Sequence, residues 1–220
     1  MNILNEYSQI KEVAIRSPLS SFIDEAKLSS EWEALRFHSK PDLKQAIIEY
    51  NYFRDMLDDD AVTIIDLPSS KLLTLDSIYT RDSILISKKG LILCNMGRSS
   101  RTPEASENFK TLQSRGYKIA GQIKAPGTLE GGDFIWIDDH HAAVGLGPRT
   151  NVEGIRQLKE ILGLSVEFFD TNVLNLIPIS HWPAVPTSWW CTSTSSPICS
   201  MAEHIAARIS CSESTGGTGK

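Results

Sequence analysis

The chain has 220 residues, 41% of them apolar, which is enough for one substantial hydrophobic core. It carries 22 Lys and Arg against 27 Asp and Glu, a net charge of −5 without a basic block, which argues against a nucleic-acid partner. The sequence starts without a basic region and long apolar run, and no stretch is long enough to span a bilayer, so it predicts a soluble cytoplasmic protein without a membrane partner. The four cysteines lack the spacing of a zinc site or a disulfide framework, and no metal cluster is predicted.

The first part of the chain predicts a strand-helix-strand unit. Residues 11–16 predict a short strand, residues 41–57 a helix and residues 61–67 a buried strand. Pro41 suits the first turn of the helix, and Asp42 favours its positive end. The helix carries an apolar stripe, which indicates a face packed on a core.

The second and third stretches of the chain repeat each other. Each has two apolar runs joined by a turn, then an Arg-Thr pair that opens a helical pattern, then a glycine and a closing strand. Asp82 and Asp133 lie 51 residues apart, the Arg-Thr pairs at 101 and 149 lie 48 apart, and Gly116 and Gly163 lie 47 apart. A period near fifty residues is typical of stacked or radially arranged units. The sequence therefore predicts strand-strand-helix-strand units in an α/β or α+β protein, with function where strand and helix starts converge.

The ends of the two repeated helices are predicted from their flanking residues. In the second unit Thr102 is the expected N-cap, with Pro103 at the first helical position and Glu104 in the first turn. In the third unit the cap is either Thr150 or Asn151. The first of these helices is expected to end at Gly116 in the left-handed conformation, and the second helical pattern closes at Gly163.

Residues 171–220 differ in character from the rest of the chain. They contain 15 Ser or Thr, four charged residues, three of the five tryptophans and three of the four cysteines, and no strand or helix period persists. One interpretation is a Ser-rich tail. Another is a segment read out of register: the codons of Trp189-Trp190-Cys191, read from the third base, give Val-Val followed by Tyr or His. Serines encoded by TCN codons would likewise become apolar residues in that register.

Acidic residues precede the first strand of both repeated units. Glu130-Gly131-Gly132-Asp133 sets two carboxylates around two glycines at the start of an apolar run, where the backbone can approach a ligand closely. Asp82 holds the equivalent place in the preceding unit. Paired carboxylates suit a planar guanidinium, which they accept bidentately. The alternative is a hairpin or bulge with solvated acids.

Arginines precede both repeated helices. Arg149 stands before Thr150 and Asn151, and Arg98 and Arg101 stand before the previous helix. A guanidinium and the free N–H groups of a helix start together form an anion site. The alternative for either position is a surface arginine near a well-capped helix. Acids for a guanidinium and arginines for a carboxylate predict a pocket for an arginine-like zwitterion.

Other residues with reactive side chains have weaker patterns around them. His140 and His141 lie in a predicted hairpin turn and are expected to be solvated, and Cys94 lies in an apolar run and is expected to be an inert core thiol. The spacing of His181 and Cys191 does not establish whether they form a Cys-His couple. Neither a dinucleotide fingerprint nor a phosphate loop is present.

The motifs resemble those of the guanidino-group-modifying enzymes, or penteins, which include dimethylarginine dimethylaminohydrolases, arginine deiminases and glycine amidinotransferases. The resemblance runs from about residue 11 to residue 169 and rests on residues 79–82, 98–104, 129–133 and 145–151. It implies a five-bladed α/β propeller of strand-strand-helix-strand units. The propeller is expected to be incomplete here, because three units and 50 further residues do not supply five blades. Residues 1–170 are then the pentein-like part, and residues 171–220 an atypical tail.

The resemblance also implies roles for the acids. Asp82 resembles the carboxylate that grips the guanidinium, Glu130 the one that orients the catalytic histidine, and Asp133 a second hold near the substrate. In the family a cysteine thiolate attacks the guanidinium carbon, a histidine protonates the departing amine, and water releases a ureido product such as citrulline. Positive charge nearby lowers the thiol pKa, and fixed carboxylates hold the flat cation for attack. No cofactor is implied.

By the same resemblance Arg149, with Arg98 or Arg101, would bind the substrate carboxylate. The chain departs from the family where the histidine and cysteine are expected. Residues 173–176 read Val-Leu-Asn-Leu in place of a His-Leu segment, and Cys211 lies before the final glycines instead of after them. No residue is therefore assigned as nucleophile or general acid, and the chain as written is not expected to catalyse the family's reaction.

Several functions stay open at this point. The first is a hydrolase acting on the guanidino group of arginine or an N-methylated arginine, and an amidinotransferase differs from it only in the amine that accepts the amidino group. The second is a catalytically dead remnant that keeps an arginine pocket or serves in interactions. An unrelated α/β binding protein is disfavoured by the recurring Asp and Arg. The expected partner is a small guanidino molecule, and the sequence does not indicate an oligomeric state.

Overall fold

The structure is a computed structural model that describes residues 5, 6, 8–163 and 167–170. Within these residues, eight short strands and five α-helices form three α/β units. The first unit has a two-stranded sheet, and the second and third have three strands each. The predicted mixed α/β class and the order of strands and helices are confirmed.

The first unit is built on two parallel strands joined by helices. Its elements are β1 (Glu12–Ile15), α1 (Pro18–Ser21), α2 (Glu25–Glu31), α3 (Leu43–Asp59) and β2 (Thr63–Asp66). The side chain of Asp42 caps α3 by accepting the N–H of Gln45 at 2.9 Å. The sequence predicts α3 but not α1 or α2, because helices of four and seven residues are too short to show an apolar period.

The second unit has the predicted strand-strand-helix-strand order. Its elements are β3 (Ile84–Ser87), β4 (Gly90–Leu93), α4 (Glu104–Ser114) and β5 (Ile119–Gln122). β4 pairs antiparallel with β3 and parallel with β5. Gly116 has a φ of +89° after α4, which confirms the predicted left-handed stop.

The predicted cap of α4 is wrong. The 3₁₀ turn Ser99–Arg101 precedes the helix, and the N–H of Thr102 already donates to the carbonyl of Ser99 at 3.2 Å. Thr102 therefore has a helical backbone, with φ −51° and ψ −36°, whereas a capping residue is extended. The helix begins after Pro103 without a side-chain cap.

The third unit repeats the pairing of the second. Its elements are β6 (Phe134–Trp136), β7 (His141–Val144), α5 (Val152–Leu162) and β8 (Glu167–Asp170). β7 pairs antiparallel with β6 and parallel with β8. Of the two predicted caps, Asn151 is the one observed: its side chain accepts the N–H of Gly154 at 2.8 Å. Gly163 follows α5 with a φ of +91°.

The units pack side by side through shared apolar clusters. A small cluster around Ile65, Leu91 and Leu112 joins the first unit to the second. A larger one joins the second unit to the third and includes Ile92, Phe134 and Leu158 among its members. These contacts fix the loops before β3, α4, β6 and α5 against one another, and those loops carry the predicted site residues.

The predicted tail at residues 171–220 lies outside the described residues. In the part of the chain that the structure covers, no helix combines the length and apolar character needed to cross a bilayer. Across the same residues, no three His, Cys, Asp or Glu side chains are grouped so that they could hold a metal ion.

Candidate functional site

Two 3₁₀ turns, Thr80–Asp82 and Gly131–Asp133, lead into β3 and β6 and lie against each other. The N–H of Gly132 donates to Oδ1 of Asp82 at 3.1 Å, which links the two repeated acidic segments directly. A Cβ at Gly131 would lie 2.2 Å from the carbonyl oxygen of Arg81, so the close approach of the two backbones requires glycine there. The Gly-Gly pair therefore brings the acids of two units together.

Glu130 is fully buried between the second and third units. Its Oε1 accepts the N–H of Gly97 at 3.2 Å, and its Oε2 lies 2.9 Å from Nη1 of Arg149 and 3.7 Å from Nη1 of Arg101. Among the described groups, no donor is aligned for a hydrogen bond to Oε2, so its contacts with the arginines are ionic. Burial raises the pKa of Glu130, and the charge of Arg149 opposes this rise.

Arg101 is buried and surrounded by carboxylates. It donates to both oxygens of Glu104, at 2.7 and 2.9 Å, and to Oδ2 of Asp82 at 2.8 Å. Burial alone would lower the pKa of Arg101, but the hydrogen bonds and charges of Glu104 and Asp82 outweigh it and raise the pKa. Arg101 thus fixes the Asp82 carboxylate from the protein interior, since only 4% of the Arg101 side chain is exposed.

Arg149 lies at the start of α5 and is far more accessible, with 49% of its side chain exposed. Its Nη2 is 3.9 Å from Oδ1 of Asp133. Thr150, the next residue, is fully buried, and its hydroxyl donates to Oδ2 of Asp133 at 2.6 Å while accepting the N–H of Glu130 at 3.1 Å. The start of α5 therefore positions a cation over the two acids of the Glu-Gly-Gly-Asp segment.

Arg98 is connected to the same network through Asp76. Its Nη1 donates to Oδ2 of Asp76 at 3.1 Å and to the carbonyl of Leu35 at 3.0 Å, and 43% of its side chain is exposed. Asp76 is buried, and its carbonyl oxygen accepts from Nη2 of Arg101 at 3.3 Å. Burial raises the pKa of the Asp76 carboxyl, against the charges of Arg101 and Arg98.

The six predicted site residues thus belong to one continuous network of acids and arginines: Asp82, Arg98, Arg101, Glu130, Asp133 and Arg149. Two further acids belong to it, Asp76 and Glu104. The sequence assigns Asp76 no role and Glu104 only the first turn of a helix. The signal for Glu104 was its position three residues after Arg101, which sets the two side chains on one face of a helical turn.

The weaker candidates His141 and Cys94 have different surroundings. His141 is the first residue of β7, and its Nδ1 lies 2.8 Å from both carboxylate oxygens of Asp138 in the preceding turn. Cys94 is buried in the apolar cluster, and burial together with the charges of Asp82 and Glu130 raises the pKa of its thiol, so the prediction of a core thiol is confirmed. His181 and Cys191 lie outside the described residues.

Comparison with known proteins gives a consistent family. A family model described as N,N dimethylarginine dimethylhydrolase, eukaryotic, matches residues 30–181. The N(G),N(G)-dimethylarginine dimethylaminohydrolase of Pseudomonas aeruginosa is 31% identical over 152 residues, which cover 69% of this chain and 56% of that protein. An arginine deiminase of Limosilactobacillus reuteri is 26% identical over 112 residues, covering 48% of this chain and 27% of the relative.

Solved structures agree. The Pseudomonas aeruginosa enzyme, as a cysteine-to-serine mutant complexed with citrulline, is 29% identical with a TM-score of 0.60, covering 74% of this chain and 62% of that one. An amidinotransferase from Microseira wollei, from the saxitoxin pathway, shares the fold at a TM-score of 0.59 and 15% identity, covering 76% of this chain and 61% of that one. This chain spans only about 56% of the length of the Pseudomonas relative. Because the family model covers residues 30–181, the chain belongs to the N,N-dimethylarginine dimethylhydrolase family, within the pentein superfamily.

Proposed function

We propose that the protein represented by this chain is a citrulline-forming hydrolase that acts on the guanidino group of arginine or of an N-methylated arginine. The observation that carries the proposal is the network in which Glu130 and Asp133 face Arg149, while Asp82 of the neighbouring unit is joined to the same segment through the N–H of Gly132. The network holds charges of both signs, with five carboxylates and three arginines. Arginine can exchange with these ion pairs, its guanidinium meeting the acids and its carboxylate an arginine, and the excess of carboxylates favours the further positive charge of its α-ammonium group.

We assign the acids to the guanidinium end of the substrate. Asp82 is held by Arg101 and by the N–H of Gly132, so its carboxylate is fixed before a ligand arrives. Asp133 supplies a second hold. Glu130 orients the catalytic histidine, and its buried Oε2, for which the described residues align no hydrogen-bond donor, is the oxygen that suits an imidazole N–H.

We assign Arg149 to the substrate carboxylate, together with Arg98 or Arg101. Arg149 and Arg98 have about half of their side chains exposed, whereas Arg101 is buried and bonded to Glu104 and Asp82. On this ground Arg98 is the preferred second partner, and Arg101 acts by fixing Asp82.

The reaction needs a histidine and a cysteine that the described residues do not supply to this site. The thiolate adds to the guanidinium carbon, the histidine protonates the departing amine as its C–N bond breaks, and water then displaces the thiolate to release the ureido product. The full activity is therefore a proposal for the whole protein, in which two further units complete a five-bladed ring. A cytoplasmic location is part of the same proposal.

A catalytically dead arginine-binding remnant is the second candidate for the chain as written. It is favoured by Asn175, which stands where the family pattern has a histidine before Leu176. An amidinotransferase is a variant of the first candidate, since only the acceptor amine differs.

The test is binding and turnover by the 220-residue chain. Isothermal titration with L-arginine, asymmetric dimethylarginine and citrulline is expected to show binding that Asp82→Ala abolishes. Asp66→Ala is the matched control, because Asp66 also pairs with an arginine, Arg54, but lies in β2 of the first unit. Binding that survives Asp82→Ala would contradict the assignment of the site, and citrulline release separates the hydrolase from the remnant.

A further inference from the structure

Gly97 lies between β4 and the Ser99–Arg101 turn, where it contacts both members of the central ion pair. Its N–H donates to Oε1 of Glu130 at 3.2 Å. A Cβ built on it would lie 2.7 Å from Cα of Arg149 and 3.0 Å from the carbonyl oxygen of Arg149. The backbone of Gly97 is outside the left-handed region, so any residue could adopt its conformation. Space, and not backbone freedom, is what restricts this position to glycine.

The segment around Gly97 is held firmly against the segment that carries Glu130. The N–H of Leu129 donates to the carbonyl of Asn95 at 2.8 Å, and the side-chain amide of Asn95 donates to the carbonyl of Gly127 at 2.6 Å. Gly97 is therefore tied to the segment before Glu130 on one side and in contact with the backbone of Arg149 on the other. A side chain at position 97 would have to push one of them away.

We infer that Gly97 is a positioning residue for the proposed reaction: its bare backbone sets how closely Arg149 approaches Glu130 and holds one oxygen of that carboxylate. The other oxygen, 2.9 Å from Nη1 of Arg149, is thereby left turned toward the site. This inference rests on the proposed function for its role in the reaction, but the geometry that it asserts can be tested without a ligand.

The competing explanation is that Gly97 is simply a tight glycine between two units. Gly121 provides the matched control, because a Cβ there would lie 2.7 Å from carbons of the Ile161 side chain. Both glycines belong to the second unit and face the third, and a Cβ on either would lie 2.7 Å from its nearest neighbour, a backbone atom at Gly97 and a side-chain carbon at Gly121. Only Gly97 contacts charged residues of the site.

The first measurement is the titration of the Glu130 carboxyl by ¹³C NMR in the 220-residue chain without ligand. The Gly97 hydrogen bond favours the ionised carboxylate, and so does the charge of Arg149. Gly97→Ala is expected to move the midpoint upward by about one pH unit, which corresponds to weakening one hydrogen bond to a charged group. Gly121→Ala is expected to leave the midpoint unchanged while lowering the melting temperature. An unchanged midpoint in Gly97→Ala, or an equal shift in Gly121→Ala, would overturn the inference.

The second measurement is the dissociation constant for L-arginine. Gly97→Ala is expected to weaken binding about tenfold and Gly121→Ala to leave it within twofold. If the wild-type chain does not bind arginine, the proposed function fails, and the NMR midpoint still decides the role of Gly97.

Should Gly97→Ala fail to fold, a semisynthetic chain with an ester in place of the amide between residues 96 and 97 removes the donor and adds no volume. The same upward movement of the Glu130 midpoint is expected in that chain. No movement there would show that the N–H of Gly97 does not hold the carboxylate, which would overturn the inference.

Discussion

At the scale of single residues, burial and charge compete at Glu130. The carboxylate is fully buried, and its raised pKa means that burial outweighs the attraction of Arg149 and Arg101. The folded chain therefore takes up a proton at Glu130 more readily than the unfolded chain does. The stability that the protonated Glu130 carboxyl contributes is present at low pH and is lost as the pH rises through the raised folded-state pKa of Glu130.

Glu130→Gln is consequently expected to stabilise the chain at neutral pH by about 1 kcal/mol, while arginine binding is weakened because Arg149 loses the carboxylate that positions it. Arg149 is half exposed and can regain water, and Arg101 keeps Glu104 and Asp82. The advantage of the variant should shrink as pH falls toward 4.5, the ordinary value for the group. Urea unfolding at a series of pH values measures it. A large destabilisation at pH 7 would mean that the ion pair with Arg149 dominates.

The pair formed by Arg101 and Glu104 is expected to be structural. Burial raises the pKa of Glu104 as it does that of Glu130, against the hydrogen bonds and charge of Arg101. The two sites differ in the arginine left behind, because Arg101 is 4% exposed and cannot regain water as the half-exposed Arg149 can. Glu104→Gln is therefore expected to destabilise the chain, by up to the roughly 3–5 kcal/mol typical of removing one member of a buried pair. Glu153→Gln is the matched control, because Glu153 pairs with Arg156 at the same i,i+3 spacing on the exposed face of α5. It should not change the unfolding midpoint measurably, since exposed pairs are screened by water. Equal effects of the two variants would contradict the structural role.

The sequence reveals some of these residues and not others for a physical reason. Asp82 and Asp133 are found because they recur in equivalent places of two units. Asp76 and Glu104 lack such copies. The i,i+3 spacing from Arg101 indicates that Glu104 can pair with it, but the burial that makes both acids important, against Arg98 and Arg101, is not encoded in any spacing. Repetition identifies the acids of the site, whereas the residues that hold them are found only from packing.

At the scale of elements, the two Arg-Thr helix starts have diverged in their environment. The residue three positions after Arg101 is the buried Glu104, and the one three positions after Arg149 is the exposed Val152. One arginine is consequently enclosed and the other remains accessible, with 4% and 49% of the side chains exposed. The same local pattern thus serves to hold an acid in the second unit and to present a cation in the third.

The cap of α5 should matter for binding as well as for stability. Asn151 accepts from the N–H groups of Gly154 and Thr128 and donates to the carbonyl of Pro126, so it ties the start of α5 to the segment before Glu130. Asn151→Ala is expected to cost about 1–2 kcal/mol and to weaken arginine binding, because Arg149 precedes this cap by two residues. Thermal unfolding and isothermal titration measure the two effects.

The control for this variant is Asp42→Ala at the start of α3, where the side chain caps a helix of the first unit by accepting from Gln45. A similar loss of stability with unchanged binding is expected there. Parallel losses of binding in both variants would mean that general stability, and not the placement of Arg149, controls the affinity.

The ends of helices could be predicted from the sequence where the backbone preference of a single residue determines them. Gly116 and Gly163 were predicted as helix stops because only glycine adopts a positive φ readily, and the structure agrees. The predicted cap at Thr102 is wrong because the 3₁₀ turn Ser99–Arg101 continues directly toward α4. The buried side chain of Arg101 holds this turn in place through its hydrogen bonds to Glu104 and Asp82. Tertiary contacts override the local signal at that position.

At the scale of the whole molecule, three units account for the described site but not for the complete reaction. The chain covers 56% of the Pseudomonas relative, and the proposed five-unit ring needs two more units to close around the site. The match to the family model runs to residue 181 and so extends beyond the last described strand.

The source transcript tests the reading register of residues 171–220. Sequencing it and translating it in all frames is expected to reveal, downstream of Phe169, a register in which Trp189-Trp190-Cys191 becomes Val-Val followed by Tyr or His. That register should continue into apolar strands and supply a cysteine near its end, and the histidine should also lie downstream of Phe169. The corrected protein should release citrulline from arginine or dimethylarginine, and its cysteine-to-serine variant should not. A stop codon soon after the register begins would exclude this origin, and the chain would then be left as a binding remnant, because a carboxylate-arginine site without a thiolate can hold a guanidinium but cannot form the covalent intermediate.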